Sequence, residues 1–72
     1  MDIDKAIDYF LGDPQFVAAL DAGDEPRAFR YMRQCLKTAK HEDVEAATHL
    51  AHLRRIAKLA GDKLTRLEYA KH

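Results

Sequence analysis

The 72-residue chain contains no serine and no tryptophan, and it has one cysteine, two prolines and three glycines. The lack of serine excludes a serine nucleophile, and a single thiol forms no disulfide within the chain. The three glycines are separated, so the sequence lacks a glycine-rich loop for phosphate. We therefore expect neither catalysis nor a cofactor, and the lone thiol is typical of a reducing compartment.

Long hydrophobic runs are also missing, and the first residues, MDIDKAID, are acidic. A transmembrane helix needs about 20 apolar residues, and a signal peptide starts with a basic region. The sequence thus predicts a cytoplasmic protein without a membrane partner. The length predicts a single helical domain over residues 1–72, whose small core favours a partner subunit.

Acids and bases are concentrated in different parts of the chain, although the net charge is zero. Residues 1–26 hold seven acids and one base, a net charge of −6, and residues 27–72 hold eleven bases and five acids, a net charge of +6. This asymmetry indicates either neutralisation, within one chain or between two, or a surface for a charged partner.

Apolar residues recur at helical spacing, and no strand-like alternation is present. Asp13-Pro14 and Asp24-Glu25-Pro26 are typical helix starts, while Gly12 and Gly23 are natural helix ends. The sequence predicts an all-α fold, a compact bundle of four or five helices with a long C-terminal heptad-patterned helix. Predicted helices cover residues 4–11, the segments starting at residues 14 and 24, and a segment starting near residue 42.

The third predicted helix continues to residue 40 and carries five cations within an arc of roughly 140°. Its apolar residues, Cys35 among them, fill a separate arc. Spaced cations suit phosphate or an acidic protein surface, and Tyr31 borders them. The alternatives are a solvated helix face and a docking site for the acidic residues 1–26. We call this set the basic stripe: Arg27, Arg30, Arg33, Lys37 and Lys40.

The fourth predicted helix carries apolar residues at alternating spacings of three and four from Ala46 onward, a heptad pattern. This pattern predicts either the core that receives the first three helices or a dimer interface. Gly61-Asp62 interrupts it: either the helix passes through Gly61 at a cost of about 1 kcal/mol, or it breaks and Asp62 caps a fifth helix. We expect a break or kink. We call the following residues the α4 seam: Leu50, Leu53, Ala57, Ala60, Leu64 and Leu67.

The segment from Ile56 through Ala57 and Gly61 to Leu67 and Ala70 resembles the helix-turn-helix motif of DNA-binding proteins. The resemblance implies a second helix that places Lys63, Arg66 and Lys71 in a DNA groove. Further cations are expected on the outer face of the fourth helix. The candidate DNA contacts are Arg54, Arg55, Lys58, Lys63 and Arg66.

Three histidines and a glutamate share one face of the fourth helix: His41, Glu45, His49 and His52. Zinc or nickel accepts imidazole and carboxylate ligands at such spacing. Partly exposed histidines without a metal are far commoner, so we expect no metal. Glu45, His49 and His52 remain the candidate ligands if one binds, and a histidine pair at an interface would make association sensitive to pH.

These patterns favour a small regulatory or inhibitory module without enzymatic activity. The predicted module docks another macromolecule, preferentially a protein, through the basic stripe and Tyr31, and it forms a homodimer. The alternatives are a DNA-binding transcriptional regulator and a purely structural homodimer.

Overall fold

Aspartate side chains begin the first three helices of the computed structural model, which describes residues 1–70 and the side chains of residues 1–68. Each accepts a hydrogen bond from a backbone N–H in the first helical turn and so satisfies a donor that lacks a helical partner. The capping pairs are Asp2 with Lys5 at 3.2 Å, Asp13 with Gln15 at 2.9 Å, and Asp24 with Arg27 at 3.1 Å.

The described residues form an all-α bundle of four helices without strands, as predicted. Gly23, with φ of +72°, ends the second helix in the left-handed conformation that glycine adopts readily. The helices are α1 Ile3–Leu11, α2 Pro14–Asp21, α3 Glu25–Cys35 and α4 His41–Ala70.

Helix α3 is shorter than predicted, because it ends at Cys35 and not near residue 40. Leu36 and Ala39 leave the helical path and pack against the core. The Arg33 guanidinium donates a hydrogen bond to the Ala39 carbonyl at 3.0 Å and holds the connecting segment in place. The predicted burial of Cys35 is also wrong, since this side chain is exposed.

Large side chains of α1, α2 and α3 pack against a face of α4 made of small residues. Ile7, Phe10, Phe16 and Met32 are almost completely buried, and they are covered by α4. Ala28 on α3 and two alanines on α4 permit close approach of the helices. The inward apolar residues of α4 are Val44, Ala47 and Ala51.

Thr48 is the buried polar residue of this core among the side chains of residues 1–68. Its hydroxyl donates to the Val44 carbonyl at 2.8 Å and lies 3.7 Å from the Met32 sulfur. The hydroxyl is therefore satisfied by its own helix, as buried polar groups require.

Helix α4 runs without interruption through Gly61, so the predicted break is wrong. The helix-turn-helix prediction fails with it, because residues 41–70 contain no turn and no second helix. Lys71, which that motif placed in a groove, lies outside the described residues. At 30 residues, α4 is about 45 Å long, and all side chains of residues 56–68 are exposed. Across residues 1–70, none of the helices combines the length and apolarity needed to span a bilayer.

Candidate functional site

The α4 seam lies on the surface, so of its two predicted roles the intramolecular core is wrong. Its four leucines are between 41% and 62% exposed, and Ala57 and Ala60 are exposed as well. On a helical projection the seam lies roughly 140° from the inward residues Val44, Ala47 and Ala51. The seam therefore remains available to another molecule.

Two further apolar side chains of α4 are exposed outside the seam: Ile56 lies beside it, and Leu59 lies roughly 130° from it around the helix. Ile56 and Leu59 are 52% and 45% exposed, although neither belongs to the heptad pattern. Monomeric soluble proteins seldom expose contiguous apolar patches of this kind, and such patches mark interaction sites. Both residues are apolar in the sequence, but neither falls on the heptad spacing.

The basic stripe does not form one helical face. Arg27 pairs with Asp24 at 3.8 Å, and Arg33 binds the Ala39 carbonyl. Lys37 and Lys40 lie beyond the end of α3, in the segment that leads to α4. Arg30, Lys37 and Lys40 are exposed and form no ion pair within the described part of the chain.

Tyr31 is held between elements and does not stand free at the edge of the stripe. Its ring meets Phe10 edge to face, with 6.1 Å between ring centroids. Its hydroxyl donates a hydrogen bond to Asp13, which raises the pKa of Tyr31 to about 12. The same bond lowers the pKa of the Asp13 carboxyl. Tyr31 thus joins α3 to the start of α2.

Arg54 and Arg55 face α1 and α2, contrary to the prediction that they lie on the outer face of α4. Arg54 reaches Asp4 at 2.9 Å and Asp8 at 3.8 Å. Arg55 binds both carboxylate oxygens of Asp21, at 2.8 and 2.9 Å, and these bonds lower the pKa of Asp21. The charge split is therefore neutralised within the chain at these positions, whereas Lys58, Lys63 and Arg66 are exposed.

Glu25 joins two of the predicted metal ligands. Its two carboxylate oxygens lie 3.1 Å from His49 Nδ1 and 3.2 Å from His52 Nδ1. Burial alone would raise the pKa of Glu25, but the hydrogen bonds with His52 and His49 outweigh it and lower the pKa. Glu25 was not predicted from the sequence, because it lies 24 residues before His49.

Glu45, the third predicted ligand, is near a different histidine. Its carboxylate lies 3.3 Å from His41 Nε2. Within the described residues, no group of three or more histidine, cysteine, aspartate or glutamate side chains is arranged to hold a metal ion. Glu25 thus links α3 to α4 through His49 and His52, whereas His41 and Glu45 form a pair within α4.

Comparisons with protein-family models, with curated proteins and with solved structures found no match to this chain.

Proposed function

We propose that this protein is a non-catalytic docking module that binds another protein through the α4 seam. The exposure of that seam along a helix that projects beyond the bundle is the observation that carries the proposal. A contact there removes apolar surface from water, which is worth roughly 25 cal/mol per Å². A helix of the partner is the natural counterpart, because seams of this period interlock with other helices.

The exposed cations support docking in a secondary role. Arg30 lies on α3, and Lys37 and Lys40 lie in the segment that connects α3 to α4, outside the apolar face. Exposed charges of this kind speed the encounter with an acidic partner more than they strengthen the complex. A regulatory or inhibitory role follows if the docked partner is itself an active protein.

DNA binding is the weaker alternative. Arg54 and Arg55 are occupied by aspartates, and α4 lacks the turn of the motif. We expect a labelled random duplex to show no anisotropy change with this protein at physiological salt. Tight binding at low salt that falls steeply with added salt, and is lost in Arg30→Glu/Lys37→Glu, would favour the DNA-binding function instead.

Site-specific photo-crosslinking in the native host tests the docking function. A photoreactive residue at Leu64 should give a discrete covalent protein adduct, because Leu64 lies in the seam and is 62% exposed. The matched control carries the same residue at Asp62, which is exposed on the opposite side of α4 and should give no adduct. Failure at Leu64, or equal adducts at both positions, would overturn the proposal.

A further inference from the structure

We infer that the occupant of the α4 seam is a second copy of this chain, with the two α4 helices parallel and in register. This inference rests on the docking function proposed above and names its partner. The exposed seam, its period and the residues that flank it carry the inference.

The spacing of the seam in one chain matches that of the same seam in a second copy. Spacings of three and four residues from Leu50 to Leu67 require a partner helix with the same repeat, and α4 of another copy has it. In a parallel pair each leucine layer meets the identical leucine layer. Ala57 and Ala60 form a small central layer that lets the two backbones approach closely.

One of the three residue pairs that flank the seam, Lys63 with Glu68, is complementary in charge in the parallel arrangement. The rule concerns the seam positions that are followed by a spacing of three, which are Leu50, Ala57 and Leu64. In a parallel pair, the residue that precedes each of these positions faces the partner residue five positions later. Lys63 therefore faces the partner's Glu68, and twofold symmetry repeats the pair. Both side chains are exposed, and neither forms an ion pair within the described residues.

The same rule places Ile56 against the partner's Gly61. A Cβ added at Gly61 would meet nothing within 4 Å in the isolated chain, so this strip of helix is open. A glycine leaves room for the branched Ile56 side chain, which is half exposed in the isolated chain. This contact accounts for a glycine inside an unbroken helix, where glycine costs about 1 kcal/mol relative to alanine.

An antiparallel pair fits these flanking residues less well. When it aligns Leu50 with the partner's Leu67, it places Lys63 beside the partner's Ile56, and the lysine then has no opposite charge. The buried residues of α4 that pack against α1, α2 and α3 are Val44, Ala47 and Ala51, which lie roughly 140° from the seam. The Lys63–Glu68 pair therefore favours the parallel arrangement.

Sedimentation equilibrium of the purified full chain tests self-association. The expected mass is twice the 8.2 kDa of one chain. Leu53→Glu/Leu64→Glu should sediment as a monomer and keep its helical circular dichroism signal. The control Lys58→Glu/Arg66→Glu changes exposed residues on the opposite face and should remain dimeric. A monomeric wild type overturns the inference.

Charge reversal tests the orientation. Lys63→Glu and Glu68→Lys should each weaken the dimer, because each places like charges opposite one another twice. The double variant should restore it, and a mixture of the two single variants should form heterodimers preferentially. Absence of both effects overturns the parallel register.

The two proposals fail in different ways. A monomeric wild type together with a Leu64 adduct to a different protein removes the second copy as occupant and retains the docking function. Absence of any adduct at Leu64 removes the docking function itself.

Discussion

Asp13 serves two elements through one carboxylate. Oδ1 accepts from the Gln15 backbone N–H at the start of α2, and Oδ2 accepts from the Tyr31 hydroxyl on α3. The Asp13-Pro14 pair predicted the first role from the sequence. The second role was not predictable, because Tyr31 lies 18 residues further along and only the packing of Phe10 against it brings the hydroxyl there.

The Tyr31→Phe variant measures how much the hydrogen bond from Tyr31 to Asp13 contributes to stability. It keeps the ring against Phe10 and removes one hydrogen bond, so we expect a loss of about 0.5–1.5 kcal/mol in unfolding free energy. Urea denaturation followed by circular dichroism gives this value. Tyr9→Phe is the control, because Tyr9 is 72% exposed and should change stability little. Equal losses in both variants would contradict the assignment.

On α4, small apolar side chains face the core and large ones face solvent, which is the reverse of the usual distribution. Ala47 and Ala51 are fully buried, while Leu64 and Leu67 are more than half exposed. The heptad pattern was read correctly as an apolar face, and of its two interpretations, core or dimer interface, the core is wrong. Hydrophobic size favours the leucines as core, and the sequence does not show that Phe10 and Phe16 need small residues opposite them.

The variants Ala51→Leu and Ala57→Leu distinguish the buried face of α4 from its exposed face. Ala51 has no room for a larger side chain, so we expect Ala51→Leu to destabilise the fold by about 1–3 kcal/mol. The same change at exposed Ala57 should leave the fold intact. Thermal unfolding followed by circular dichroism compares them, and a destabilising Ala57→Leu with a neutral Ala51→Leu would refute the assignment of faces.

The end of α3 shows another limit of sequence periodicity. Leu36 and Ala39 keep helical spacing after Met32, and no glycine or proline stands between residues 35 and 40. The pattern therefore predicted a helix through Lys40. Tertiary packing of Leu36 and Ala39 on the core decided the outcome, as did the bond from Arg33 to the Ala39 carbonyl.

Across the whole molecule, the seven acids of residues 1–26 are all used within the chain. Three are the helix caps, three bind arginines of α4, and one binds two histidines. Charge counting predicted neutralisation but could not assign pairs. The partners of Asp4, Asp8, Asp21 and Glu25 are contributed by α4, so these acids link the first three helices to α4.

Stability should therefore fall in acid. The pKa values of Asp13, Asp21 and Glu25 are lowered in the folded chain, so folding favours their ionised forms. Their contribution is complete above the unfolded pKa values, near 4, and is lost as the pH falls through the lower folded values. The urea concentration at the midpoint of unfolding should be constant from about pH 6 to pH 5 and should fall below about pH 4. A midpoint that rises on acidification would contradict these ion pairs.

The projection of α4 gives the chain unusual hydrodynamic behaviour. Its extents are 51 × 22 × 16 Å, and its radius of gyration is 13.9 Å, against about 11 Å for a compact chain of this length. A single chain will thus elute from a sizing column ahead of a spherical protein of equal mass. Its rotational diffusion will be anisotropic, so amide groups along α4, whose N–H bonds lie near the long axis, will relax differently from those in helices that cross it.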